Sequence, residues 1–186
     1  RVQILSTKVR AGDAVSVYIG REGCRQFYEI NPENILYEDQ WLLLYRKEPG
    51  VPSQGLVCDN YNNVYAALTR YCRKKTATPY LGLHHRLDLD TSGVLLFTLS
   101  ARVNRSIHYQ FKDHRVRKTY LALVRDNPPF QETTCTSFIG RRDGKYVCSG
   151  SGPGKIATTV FRRLNDYPGY SAVRAEPETG RTHQIR

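Results

Sequence analysis

The chain has 186 residues, one domain or one domain plus a fragment at the usual size of about 100–200 residues per domain. Hydrophobic residues at 40% and charged residues at 24% exclude a disordered chain and allow a sizeable core. Lys and Arg number 28 against 17 Asp and Glu, a net charge of +11 that points to a polyanionic partner, nucleic acid before an anionic membrane surface. No apolar run approaches the ~20 residues of a membrane helix, and no N-terminal stretch resembles a signal peptide. The five cysteines, Cys24, Cys58, Cys72, Cys135 and Cys148, are odd in number and form no C-x-x-C pair. That argues against a disulfide framework and a zinc ribbon, and leaves a reducing, cytoplasmic setting with each cysteine a small buried hydrophobe. The chain starts at Arg1 and holds no methionine, so it is expected to be a processed or cut piece.

In chain order, residues 8–19 read as a Gly-Asp turn feeding a short strand with Val15, Val17 and Ile19 at period two. Residues 20–34 are charged, hold Pro32 and lack periodicity, which predicts a linker. Residues 35–45 predict two short strands around Glu38-Asp39-Gln40. A Pro-Gly loop follows at 47–52. Asn62 or Asn63 can cap a helix with Val64, Leu68, Tyr71 and Cys72 on one face and cations at its end. Residues 94–99 form a continuous apolar run, as in a buried strand. Ser100 can cap a second helix carrying Val103, Ile107 and Phe111. A strand is predicted over 116–124, an Asp-Gly hairpin turn at 141–145, and two closing strands over 158–164 and 171–176. Hairpins mixed with single helices place the chain in the α+β class with a largely antiparallel sheet.

The chemistry concentrates just before the buried strand. His84, His85, Arg86, Asp88 and Asp90 fall within seven positions, followed by the turn residues Thr91-Ser92-Gly93. A rigid strand mouth is where catalytic groups are commonly positioned. If 86–90 is extended, Arg86, Asp88 and Asp90 point to one side. A second stretch, Gly180-Arg181-Thr182-His183-Gln184-Ile185-Arg186, offers two more guanidiniums, with Thr182 able to cap a helix.

Taken together, His85-Arg86-Leu87-Asp88, Thr91-Ser92-Gly93 and the distant Gly180 to Arg186 stretch closely resemble the signature motifs of the RluA-type pseudouridine synthases. Residues 35–42 resemble the family's opening strands, 117–124 its tyrosine motif and 154–162 its Gly-Lys-x-Ala-x-Thr strand, so the likeness runs over about 31–186. Residues 9–15 resemble the last part of an αL RNA-binding motif. The resemblance implies a pseudouridine synthase fold, a mixed and mainly antiparallel sheet flanked by helices. It divides the chain into an αL-type tail over 1–24, a linker over 25–34 and a catalytic domain over 35–186 that the family continues beyond Arg186.

The activity implied is isomerisation of uridine to pseudouridine in ribosomal or transfer RNA by a monomer, without cofactor or metal. Asp88 aligns with the essential aspartate, a nucleophile or general base. Arg186 aligns with the arginine that pairs with it, and Tyr120 with the tyrosine that stacks on uracil. Arg86 aligns with the arginine that fills the space of the extruded nucleotide. Asp90 reads as a turn or cap residue and His85 as a structural hydrogen-bonding group. One departure stands out: the family's Asn-Lys-Pro appears here as Arg46-Lys47-Glu48-Pro49. Two alternatives remain: a metal-dependent phosphodiesterase using His84, His85, Asp88 and Asp90, and a non-catalytic RNA-binding module using the basic runs at 70–75, 112–118 and 141–145.

Overall fold

The computed structural model describes residues 8, 10–14, 27–56 and 59–186. The strand expected over 15–19, Cys24 and Cys58 therefore lie outside the described residues, as does most of the αL-like tail. The chain divides into two compact units, Arg1–Tyr109 and Gln110–Arg186.

The first unit is built on a four-stranded sheet in the order β1-β2-β4-β3: β1 Ile35–Glu38, β2 Leu42–Lys47, β3 Gly82–Leu83 and β4 Gly93–Thr98. All its pairings are antiparallel. The β1–β2 turn forms where Asp39 accepts the N–H groups of Leu42 and Trp41, which hold its carboxyl below the usual range. Helix α1, Val64–Arg73, starts at Asn63, whose side chain accepts the Ala66 N–H at 2.9 Å. Asn62, the other candidate cap, instead accepts the Tyr28 N–H.

Val64, Ala67 and Leu68 of α1 pack with Leu43, Tyr45, Leu95 and Phe97 of the sheet, all fully buried. Each of the Val, Leu and Phe side chains among them contributes about 1.5–3 kcal/mol by leaving water. Residues 27–34, expected as a linker, join this core instead. Ile30 is buried, Pro32–Asn34 form a 3-10 turn, and Tyr28 and Asn34 reach Glu48. The charged composition of the segment hid this, because its anchors are polar and their partners are distant in sequence.

Gly82 sits where a Cβ would fall inside van der Waals distance of Thr98 Oγ1 and Asn104 Oδ1. These two atoms are themselves hydrogen-bonded at 2.9 Å, and Thr98 is fully buried. Gly82→Ala is expected to lower the urea midpoint at constant m, a loss of about 1–3 kcal/mol from overpacking. A midpoint equal to wild type would contradict this.

The second helix, α2, spans Ala101–Lys112 and follows Ser100, whose hydroxyl accepts the Arg102 N–H at 3.3 Å. The second unit carries a five-stranded antiparallel sheet in the order β5-β9-β8-β6-β7. Its strands are β5 Tyr120–Arg125, β6 Glu132–Arg142, β7 Lys145–Ser149, β8 Lys155–Tyr167 and β9 Tyr170–Pro177. The β6–β7 turn places Asp143 and Gly144 at φ +50° and +76°, the geometry that Asp-Gly favours. β5 is an edge strand with Leu121 and Leu123 exposed at 78% and 70%. It starts at Tyr120 rather than at 116, since 116–119 makes no ladder.

Cys72 is buried as expected, but Cys135 on β6 and Cys148 on the edge strand β7 are exposed. Among the described residues, no helix is long and apolar enough to cross a membrane.

Candidate active site

The loop between β3 and β4 holds Arg86 and Asp88, and its backbone is fastened at several points. β3 leaves its partner after Leu83, and the next free amide of β4, Leu96 N–H, is accepted by His85 Nε2 at 3.1 Å. That bond requires Nε2 to be unprotonated, which gives His85 the structural role expected of it.

His84 Nε2 lies 3.1 Å from Thr98 Oγ1, whose own proton goes to Asn104 Oδ1. His84 therefore donates from Nε2. Burial lowers its pKa below the ordinary value, helped by the charge of His108. With the folded pKa below the unfolded one, the unfolded chain takes up the proton first as pH falls. Stability is then lost on acidification from above pH 6.5 toward the folded pKa. We expect His84→Gln to lose less unfolding free energy than wild type between pH 7.5 and 5.5 in urea titrations. An equal loss in both proteins would contradict the assignment.

Asp88 is half-buried and Arg86 exposed. The residue before Asp88 is tied to Ser53: Leu87 N–H donates to Ser53 Oγ at 3.0 Å, and Ser53 Oγ donates to Leu87 O at 2.7 Å. The residue after it is tied to the 47–51 loop. Leu89 O accepts Gly50 N–H at 2.9 Å and Lys47 Nζ at 2.8 Å. Thr91 N–H donates to Asp88 O at 3.1 Å, closing a turn. The loop is therefore not extended through Asp90, and the expected single-sided array of Arg86, Asp88 and Asp90 ends at this turn. Gly93 at φ +141° lets the chain enter β4 directly, a conformation other residues rarely adopt.

Lys47 is wholly buried, and its ammonium also donates to Glu48 O at 2.9 Å and Val51 O at 2.7 Å. Burial lowers its pKa, while the charges of Glu48, Asp90 and Asp88 oppose the shift. Glu48, the departure from the family pattern, turns away from this site. Its carboxylate accepts the hydroxyls of Tyr28 at 2.9 Å and Tyr45 at 3.3 Å and the Asn34 amide. The extra acidic residue thus fastens residues 28–34 and leaves Lys47 in place.

No motif marks Lys47, Gly50 or Ser53 as site-forming. Lys47 had a signal, since period two in β2 puts it on the same face as the buried Leu43 and Tyr45. A lysine there must find partners. Ser53 had none, because its partner lies 34 positions away.

In the second unit, Tyr120 opens β5 and is half-buried. Arg186 is exposed and follows a turn over 182–185 rather than the helix that Thr182 was expected to cap. Gln184 fastens that turn: its Nε2 donates to Thr158 O and Thr159 Oγ1, and its Oε1 accepts the Arg181 N–H. His183 takes φ +61° and meets the Tyr146 ring edge-on. Arg86 and Asp88 thus lie in one unit, and Tyr120 and Arg186 in the other. Among the described residues, no group of three or more His, Cys, Asp or Glu side chains is arranged to hold a metal ion.

A family model for RNA pseudouridylate synthase matches residues 41–186. The chain belongs to the RNA pseudouridylate synthase family. The match takes in the clamped Asp88 loop, Tyr120 and the Gly180 to Arg186 motif. Among similar proteins, the ribosomal large subunit pseudouridine synthase C of Buchnera aphidicola (subsp. Schizaphis graminum) is 34% identical over 159 residues, 82% of this chain and 48% of that protein. The human pseudouridylate synthase RPUSD2 is 36% identical over 156 residues, covering 83% of this chain and 28% of its own. The synthase C of Escherichia coli is 31% identical over 191 residues, 96% of this chain and 59% of its own. The chain thus spans between 28% and 59% of the length of these curated relatives.

The solved structure of human RNA Pseudouridylate Synthase Domain Containing 1 superposes with a TM-score of 0.66 at 28% identity, over 82% of this chain and 62% of that one. The fold is therefore that of a pseudouridine synthase, as the motifs implied.

Proposed function

We propose that the chain isomerises uridine in RNA to pseudouridine with Asp88 as the essential carboxylate. The observation that carries this reading is the placement of Asp88. It lies inside the family-matched segment, with the residues on both sides of it fastened to the scaffold.

The reaction balances within the nucleotide. The N1–C1′ bond breaks, the C5–C1′ bond forms, the C5 proton leaves and N1 takes a proton, so no net oxidation occurs. Asp88 acts as nucleophile toward sugar or base, or as general base at the ribose. Arg86, exposed on the same loop, occupies the space of the extruded nucleotide, because a stacked base cannot reach the carboxylate. Tyr120 and Arg186 carry the roles given by resemblance, stacking on the uracil and pairing with the carboxylate.

Residues 35–186 are the catalytic part, and residues 1–24 the tail of an αL-type RNA-binding module. The names of the bacterial relatives favour ribosomal RNA over transfer RNA and a cytoplasmic setting. The +11 charge suits either polyanion.

The test is incubation with unmodified ribosomal and transfer RNA transcripts, with pseudouridine mapped by carbodiimide primer extension. New stops in ribosomal RNA are expected. Stops confined to transfer RNA would change the substrate, and none in either would overturn the activity.

A further inference from the structure

We propose that Ser53 is a positioning residue for Asp88, an inference that rests on the catalytic reading of that aspartate. Ser53 is 4% exposed, and its single hydroxyl makes two bonds to one residue. It accepts the Leu87 N–H at 3.0 Å and donates to the Leu87 carbonyl at 2.7 Å. The Leu87 carbonyl and the Asp88 N–H share one planar peptide unit. Fixing that carbonyl fixes the plane from which the Asp88 side chain departs.

The His84 and His85 rings hold the loop further upstream, and the remaining backbone bonds act on later units. Thr91 N–H holds the Asp88 carbonyl, while Gly50 N–H and Lys47 Nζ hold the Leu89 carbonyl. Ser53 therefore supplies the hold on the peptide unit immediately before Asp88.

Ser53 is itself anchored to a rigid element. Its carbonyl accepts the Tyr65 N–H at 3.2 Å, and the Pro52 carbonyl accepts the Val64 N–H at 3.0 Å. These are first-turn amides of α1, which have no partner within the helix. Val64 is fully buried, so the start of α1 is set in the core. A path of hydrogen bonds thus runs from the packed N-terminus of α1 through Ser53 to the peptide that carries Asp88. The role needs a small side chain that both donates and accepts, which serine provides.

The experiment compares wild type, Ser53→Ala, Ser53→Thr and Asp88→Asn of the full chain. Single-turnover pseudouridine formation and RNA affinity are measured well below each Tm, with exchange of the Leu87 amide followed by NMR. A displacement of about 1 Å at a catalytic group costs on the order of 100-fold. Ser53→Ala is accordingly expected to slow turnover about 10- to 100-fold, to leave the Kd for RNA within about threefold, and to speed Leu87 exchange. Ser53→Thr keeps the hydroxyl and is expected to restore most of the rate and the protection.

A Ser53→Ala protein with a lower Tm but wild-type turnover at low temperature would make Ser53 merely structural and overturn the proposal. If Asp88→Asn turns over like wild type, the catalytic reading fails by itself. Unchanged Leu87 exchange in Ser53→Ala overturns the clamp even where every variant is silent toward RNA.

Discussion

Asp88→Asn is expected to lower pseudouridine formation by at least about 10²-fold while the protein stays folded and still binds RNA. Losing a positioned general base costs about 10²–10⁴-fold, and losing a covalent nucleophile costs more. The amide has nearly the shape of the carboxylate but can neither attack nor take a proton. The backbone bonds that hold its loop, at Leu87, the Asp88 carbonyl and Leu89, stay in the variant. The unfolding midpoint should therefore move little. RNA affinity comes chiefly from cations meeting phosphates, so it should stay within about threefold of wild type. Matched transcripts in single-turnover and filter-binding assays check both halves. A variant that binds like wild type and keeps a tenth or more of the rate would remove Asp88 from the chemistry. Equal pseudouridine-free RNA binding by both proteins would instead favour the binding-module alternative.

Lys47→Met is expected to be the most damaging single change to stability outside the apolar core. The ammonium is fully buried and satisfies the carbonyls of Glu48, Val51 and Leu89 together. Methionine fills similar space but leaves buried acceptors without a donor, each at about 1–3 kcal/mol. Leu89 O keeps the Gly50 N–H, so the summed loss over the other two carbonyls should be about 2–6 kcal/mol. Lys47→Arg should not rescue it. A planar guanidinium cannot converge on three carbonyls arranged around a point charge. Urea unfolding of the three proteins decides this, and a Met variant within about 0.5 kcal/mol of wild type would contradict it. One of the two bonds holding the Leu89 carbonyl goes with the lysine, so turnover should fall along with stability.

Much of the first unit was legible because its signals are local. The Asp39 turn, the Asn63 cap and the apolar run of β4 each announce themselves within a few residues. Segment 27–34 was not, because Tyr28 and Asn34 are held by Glu48 and Asn62, far away in sequence. β6 was also missed. Its Thr-, Ser- and Cys-containing run has no clean alternation, and its strand state comes from pairing with β7 on one side and β8 on the other. β8 and β9 were seen but run longer than predicted, since their ladders extend into polar ends.

The roles of Arg86, Asp88, Tyr120 and Arg186 came from resemblance to the family's motifs. The sequence does not display what fastens Asp88. Lys47 was readable from the period of β2, whereas Ser53 looked like any residue of a Pro-Gly loop. Asp88 is one residue, but the placement of its loop is set by contacts 34 to 42 positions apart.

The most direct test of the account is tritium release from RNA labelled at uridine C5, with the chain and its Asp88→Asn variant side by side. Formation of the C5–C1′ bond must expel the C5 hydrogen, so release reports the isomerisation itself. Release to water by the wild-type chain alone, in step with pseudouridine appearing at a discrete site, is the predicted result. Equal release by the Asp88→Asn variant, or pseudouridine formed without release, would contradict it.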